Sequence, residues 1–423
     1  MKFISTRGNS PLVSASVAIR TGLAPDGGLY IPKEFPKIQI SEIYKNNYAG
    51  FAAEIIQPFF SGDPLYDDIP DICARAFSFD VPLHWMNDTQ AVLELFHGPT
   101  AAFKDFGARF LATVMEKLQN GKKRDLTILV ATSGDTGSAV ASAFHNKKGI
   151  QVKVLYPEGR VSKRQEKQLT CWDNNISSYC VRGNFDDCQK MVKTAFQSEE
   201  LALAWDLSSA NSINLGRLLP QIVYFYYSSL LFKDKTGEKP VIIVPSGNVG
   251  NAVGAYWAQI LGAPVEKIVL AVNSNKTIPE FIETGEYKPR PGIATIANAM
   301  DVGDPSNMER IRNLFPDRKQ ITGNLEAVSV SDDLIRETIR KTYDKNNYIM
   351  CPHTAAAEWV RHTMYSSEPG IVVSTAHPGK FETVVEPEIG KTIEIPESLN
   401  KMLKIESIFN RIDPDLNQLF LKD

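Results

Sequence analysis

At 423 residues the chain is too long for one small hydrophobic core, and its length predicts two or three domains. With 43% hydrophobic residues, 22% charged residues and a formal net charge of −3, it has the composition of an ordinary globular protein. Nothing in this charge balance suggests a surface for nucleic acid or an acidic membrane.

No apolar run is long enough to span a bilayer, and Met1 to Gly8 lack a secretory h-region, so a cytoplasmic location is expected. Residues 1–90 predict an N-terminal region. It contains the turn Pro25-Asp26-Gly27-Gly28 and helical spacing over 43–60 and 69–79, with no cluster of chemically active groups. The five cysteines show no C-x-x-C spacing and predict reduced thiols, and the six histidines show no metal-ligand pattern.

The apolar run over 92–96 predicts a strand leading into His97-Gly98-Pro99-Thr100-Ala101-Ala102-Phe103-Lys104-Asp105-Phe106-Gly107. Thr100 is placed to cap a helix starting near Ala101, which sets Lys104 about one turn in. Phe103 and Phe106 would disfavour an ammonium there, and a desolvated lysine is a usable nucleophile and base near neutral pH. The plainer alternative is a surface lysine whose stem covers a phenylalanine and whose head pairs with Asp105.

The β-branched run over 126–131 predicts a buried parallel strand. It feeds Thr132-Ser133-Gly134-Asp135-Thr136-Gly137-Ser138 and then a helix, a layout whose free N–H groups receive an anion. After a strand over 152–157 come Arg160, Lys163, Arg164 and Lys167, cations that suit either a phosphate or a solvated helix face. A strand-helix unit covers 177–196. Ser208 to Arg217, including Asn214, then opens a helix reaching about 232.

A strand over 241–244, the loop Pro245-Ser246-Gly247-Asn248-Val249-Gly250-Asn251 and a helix over 252–261 repeat the earlier design without matching a dinucleotide or P-loop motif. A strand over 268–272 and a polar loop over 298–307 precede a helix over 308–314. A last strand ends at Ser374, Thr375 and His377. The alternation predicts an α/β fold with largely parallel sheets, and the candidate residues fall at the strands' carboxyl ends.

A lysine for a Schiff base, one loop for a cofactor phosphate, a second for a substrate carboxylate and a strand-end hydroxyl are the parts of a pyridoxal-phosphate site. The sequence resembles the threonine synthase family over essentially the whole chain. The similarity is carried by His97 to Gly107, Thr132 to Gly137, Tyr156-Pro157 with Gln165-Glu166-Lys167, Ser209 to Asn214, Pro245 to Gly250, Asn298 to Val302 and Thr375 to Pro378. The resemblance implies a fold type II pyridoxal-phosphate enzyme: two open, mostly parallel α/β domains with the cofactor between them, plus an N-terminal region. The expected divisions are 1–90, a smaller domain over 91–235 with the lysine and substrate loop, and a larger one over 236–423 with the cofactor-phosphate loop.

It further implies that pyridoxal 5'-phosphate attaches to Lys104, the catalytic residue. The cofactor phosphate would lie on Gly247, Asn248, Val249, Gly250 and Asn251, and the pyridine nitrogen against Thr375. Ser133, Gly134, Asp135 and Thr136 match the loop holding the substrate's amino-acid end. Asn214 and Arg217, with Lys163 a weaker third, are the choices for the substrate phosphate. The activity implied is conversion of O-phospho-L-homoserine and water to L-threonine and phosphate by γ-elimination and β-hydration. The alternatives are a phospho-lyase releasing 2-oxobutyrate from the same substrate, or a non-catalytic binding protein that retains the fold. The expected partner is a small molecule, with no nucleic acid or membrane, in a monomer or homodimer. Ala101 and Val249 stand where relatives often carry Leu and Phe, exchanging bulk for space.

Overall fold

The computed structural model describes residues 1–420 apart from Ser133. Two sheets organise it. The six-stranded sheet runs Glu326–Ser329, Lys267–Val272, Val241–Pro245, Gly370–Ser374, Gln90–Glu94, Leu83–Asn87, and only the last pair is antiparallel. The five-stranded sheet runs Asn410–Ile412, Ile176–Val181, Ile150–Pro157, Leu126–Ala131, Asp206–Ser209 and is parallel throughout. Val241–Pro245 and Leu126–Ala131 are buried at every position. Continuous β-branched runs of this kind are what a parallel strand covered on both faces requires.

Sheet membership cuts across the divisions expected from the sequence. Gln90–Glu94, the strand leading to Lys104, pairs with Gly370–Ser374 in the larger sheet, while Asn410–Ile412 returns to pair beside Ile176–Val181 in the smaller one. Parallel neighbours are joined by long crossovers, so nearness in the chain does not decide which sheet a strand enters.

The N-terminal region pairs Phe3–Ser5 with Tyr30–Pro32 and adds the helices Ala15–Thr21, Tyr48–Ile56 and Ile69–Ala76. Its apolar side chains share one buried cluster with the helices Lys104–Gln119 and Leu215–Thr236. Edge-on contacts join Tyr48 to Phe106 at 6.0 Å and Phe51 to Tyr226 at 5.9 Å. The region therefore packs as a brace on the back of the lysine-bearing helix. No described helix is long and apolar enough to cross a membrane, and all five cysteines are unpaired and buried.

Candidate active site

The helix carrying Lys104 begins at Lys104 itself and not near Ala101. Residues 101–103 are stitched to the end of the neighbouring strand: Phe103 N–H donates to Thr375 O at 2.9 Å, His377 N–H donates to Ala101 O at 3.0 Å, and Ala102 bridges Ala376. That pairing, together with Ala101 in the left-handed region at φ 54°, forbids a helix there. Thr100 is consequently no cap. Its N–H and hydroxyl each donate at 2.8 Å to the buried carboxyl of Asp105, whose pKa burial pushes up to about 6 against the Thr100 hydrogen bonds and the nearby cations Lys380 and Arg109.

Asp105 is thus engaged with Thr100, and Lys104 is not the surface lysine of an ion pair. Its Nζ lies 4.5 Å from the centre of the Phe103 ring. Burial, helped by the Arg217 guanidinium and opposed by Asp135, lowers the amine's pKa to about 8. Phe106, expected to share in this, turns instead into the core against Phe79, at 4.8 Å, and Tyr224, at 5.2 Å.

The loop after Val241–Pro245 reaches the same place from the larger sheet. Gly247 has no room for a side chain, because a Cβ there would lie 2.6 Å from the Met300 backbone. Asn248 is braced on both sides, donating to Ser212 Oγ at 2.6 Å and accepting from Ser306 N–H at 2.5 Å. Val249 takes a left-handed φ of 61°, rare for a β-branched residue, and the helix Gly250–Ile260 starts immediately after it. Helix-start N–H groups thereby converge on one point. Asn251 Oδ1 accepts from the Tyr224 hydroxyl at 2.5 Å, while its buried Nδ2 has no partner.

Arg217, on the Leu215–Thr236 helix, is 2% exposed and lies against Gly107 on the Lys104 helix. Its Nη1 donates to Ala210 O at 2.6 Å, its Nε is unpartnered, and no carboxylate among the described residues pairs with it. Burial holds its pKa down to about 10. A buried guanidinium left this way is a receptor for an anion.

Asn214 does not join it. As N-cap of the same helix its Oδ1 accepts from Gly216 N–H, and its Nδ2 donates to Ile19 O and Ser209 O at 2.8 and 3.0 Å, so the side chain is spent on backbone. Lys163 is exposed at the start of the helix Lys163–Thr170 and makes no ion pair within the described residues. The smaller sheet delivers Gly134, at φ 140° against the Gln165 amide, and Asp135 at the start of the helix Asp135–Phe144. Thr136 follows half-buried, and Ser133 lies outside the described residues. Thr375 is buried just beyond Gly370–Ser374, its carbonyl tied to Phe103.

Two further residues at the site were not singled out from sequence. Lys380 is fully buried and donates to Asp135 Oδ1 at 2.8 Å and Thr100 O at 2.9 Å. Burial disfavours the Asp135 anion, but Lys380 outweighs it and holds the pKa below the usual carboxylate value. His353 Nε2 accepts from Ala299 N–H at 3.1 Å. Burial, set against Asp135 and reinforced by Lys104 and Lys380, lowers its pKa to about 4, so it stays neutral. Lys380 stands in the strand-end run that already supplied Thr375 and His377, whereas nothing in the sequence marks His353.

The unpartnered donor of Asn251, the side-chain-free approach at Gly247 and the lysine of lowered pKa fit a phosphorylated aldehyde that forms an imine, and the unpartnered Nε of Arg217 offers a place for a second anion. Set between two mostly parallel sheets, they define a pyridoxal-phosphate-dependent enzyme of fold type II. Residues 90–358 match the family model for pyridoxal-phosphate dependent enzymes. Residues 2–77 and 352–419 match those for the threonine synthase N terminus and C-terminal part.

The chain is 37% identical to the threonine synthase of Escherichia coli K12 over 99% of its length and 98% of that protein, and 33% identical to that of Saccharomyces cerevisiae over 90% and 88%. The crystal structure of the Escherichia coli threonine synthase superposes with a TM-score of 0.91 at 36% identity, covering 99% and 98% of the two chains. The structure of the threonine synthase of Brucella melitensis with bound pyridoxal phosphate gives 0.91 at 32%, also covering 99% and 98%. The chain belongs to the threonine synthase family.

Proposed function

We propose that the chain carries out its family's reaction, O-phospho-L-homoserine plus water to L-threonine and phosphate, with Lys104 as the attachment point of the cofactor and the principal proton carrier. The observation that carries this reading is the pairing of a lysine whose pKa is about 8 with the unpartnered buried Nε of Arg217 beside it. Bound there, the cofactor supplies the electron sink that makes the substrate's α- and β-hydrogens acidic and lets its γ-phosphate depart.

The residues do the rest. Lys104, as a neutral amine, would take the substrate's α-proton at Nζ. Arg217 holds the substrate phosphate and steadies its charge as it leaves. Gly134, Asp135 and Thr136 receive the amino-acid end at the start of their helix, a place that favours a carboxylate. Gly247 to Asn251 would hold the cofactor phosphate, and the Thr375 hydroxyl would face the ring nitrogen, a neutral partner that would leave the ring a weaker electron sink than a carboxylate would. The five unpaired thiols accord with a reducing, cytoplasmic setting.

Borohydride reduction of the yellow holoprotein followed by peptide mapping tests the assignment. The label should fall on Lys104, and Lys104→Ala should lose both the yellow band and threonine formation. A label elsewhere, or near-normal turnover in that variant, would remove Lys104 from this role.

A further inference from the structure

Asn307 lies beyond the glycine-rich loop, at the end of the polar segment preceding the helix Met308–Leu314. It is fully buried, and its Nδ2 has no partner. Which end of its amide faces which way is decided by its neighbour. Arg310 Nη1 lies 2.6 Å from Oδ1, and a guanidinium only donates, so that atom must be the oxygen. The NH2 group is therefore aimed the other way, toward Gly250 at the start of the helix Gly250–Ile260. A Cβ on Gly250 would lie 3.3 Å from Asn307 Nδ2.

Arg310 is itself immobilised. It is fully buried and donates to Tyr30 O at 3.2 and 3.0 Å from Nε and Nη2, and from Nη2 to Ile213 O at 2.8 Å. Tyr30 belongs to the N-terminal region. The neighbouring Glu309 accepts from Thr6 at 2.6 Å and from Arg7 at 3.1 Å, so the region grips this turn from two sides. On the other side Ser306 N–H is held by Asn248 of the glycine-rich loop. A buried amide with a spare donor, locked by a buried arginine and set against a helix start, is a built contact for a phosphate.

We propose that Asn307 is a phosphate-binding residue, its Nδ2 donating to a phosphate oxygen at the start of Gly250–Ile260, and that the N-terminal region sets its position through Arg310. The inference rests on the pyridoxal-phosphate reading above. Two phosphates meet in this site, that of the cofactor and that of the substrate, and the placement at Gly250 favours the cofactor's.

Asn307→Asp keeps the shape and the Arg310 contact but replaces the donor with an acceptor, and Asn307→Ala removes the donor without adding charge. With the apoprotein, the Kd for pyridoxal 5'-phosphate should rise tenfold or more in both variants, while the Kd for unphosphorylated pyridoxal stays within about twofold. A tenfold rise confined to the KM for O-phosphohomoserine would keep Asn307 as a phosphate donor and assign it to the substrate. Equal losses for pyridoxal and its phosphate, an effect of Asp without one of Ala, or no change in either variant would overturn the inference. Failure of the wild-type protein to take up pyridoxal phosphate would overturn the underlying reading and this one with it. Equal loading of wild type and variants, with the KM for O-phosphohomoserine unchanged as well, overturns this one alone.

Discussion

At the scale of single residues, the proposed chemistry turns on keeping one amine, that of Lys104, unprotonated. An ordinary lysine at pH 7 is almost wholly ammonium, and burial beside Arg217 brings the pKa of Lys104 down to about 8. The neutral amine is the attacking form. Its fraction grows as pH rises and is nearly complete a unit above the pKa. The rate at which apoprotein captures pyridoxal phosphate should therefore climb with pH through about 8 and level off, where an exposed lysine would go on climbing toward 10.5. Stopped-flow absorbance across pH 6 to 10 checks this, and a rate still rising steeply at the alkaline end would mean Lys104 is not desolvated. The desolvation of Lys104 was legible because its aromatic neighbour Phe103 is adjacent in sequence. The fate of Asn214 was not: an asparagine at a helix start is equally suited to bind an anion or to cap its own backbone, and only the positions of Ile19 and Ser209 decide for the cap.

At the scale of elements, the site is built from strand ends and the turns and helices that follow them, which at two glycines approach one another too closely for side chains. Gly247 meets the Met300 backbone, and Gly107 meets the Arg217 carbonyl and Nε at 2.7 and 2.9 Å from where a Cβ would stand. The two glycines should fail differently. Gly247→Ala forces the loop proposed to hold the cofactor phosphate off the 298–300 turn and should weaken pyridoxal-phosphate binding at least tenfold. Gly107→Ala displaces Arg217 and should raise the KM for O-phosphohomoserine by a similar factor with loading intact. Titration of cofactor and steady-state kinetics on both variants separate these outcomes, and identical phenotypes would contradict the separate roles given to the two glycines. Strands and helices were largely legible, since Leu126–Ala131 and Met308–Leu314 are continuous apolar or amphipathic runs. The start of the Lys104 helix was not. The contacts that keep 101–103 out of it come from residues 375–377, far away in the chain. Ala101 and Val249, legible as losses of bulk, share a feature that size does not disclose: both occupy the left-handed region, where β-branched Val249 carries strain of about 1–3 kcal/mol.

At the scale of the whole molecule, the two sheets are joined at the site by charge. Lys380 follows a strand of the larger sheet, Asp135 follows a strand of the smaller one, and the pair is buried. Arg164 strengthens the seam, donating to Gly379 O and lying 3.5 Å from Glu382. Lys380→Met should destabilise the protein by about 3–5 kcal/mol because Asp135 is left buried without its counter-ion, and adding Asp135→Asn should recover most of that loss. Denaturant unfolding of the two variants measures it, and a double variant no more stable than the single one would show that the pair is not the source of the effect. This seam was hidden in the sequence, as were the domain limits. Both depend on which strands become neighbours, and the Gln90–Glu94 strand finds its partner at Gly370–Ser374.

The most direct measurement is the identity of the product. The purified protein, loaded with pyridoxal phosphate and given O-phosphohomoserine, should form L-threonine in step with phosphate, followed by NMR. Release of 2-oxobutyrate in place of threonine would contradict the hydration step, and no product at all would contradict the assignment of the site.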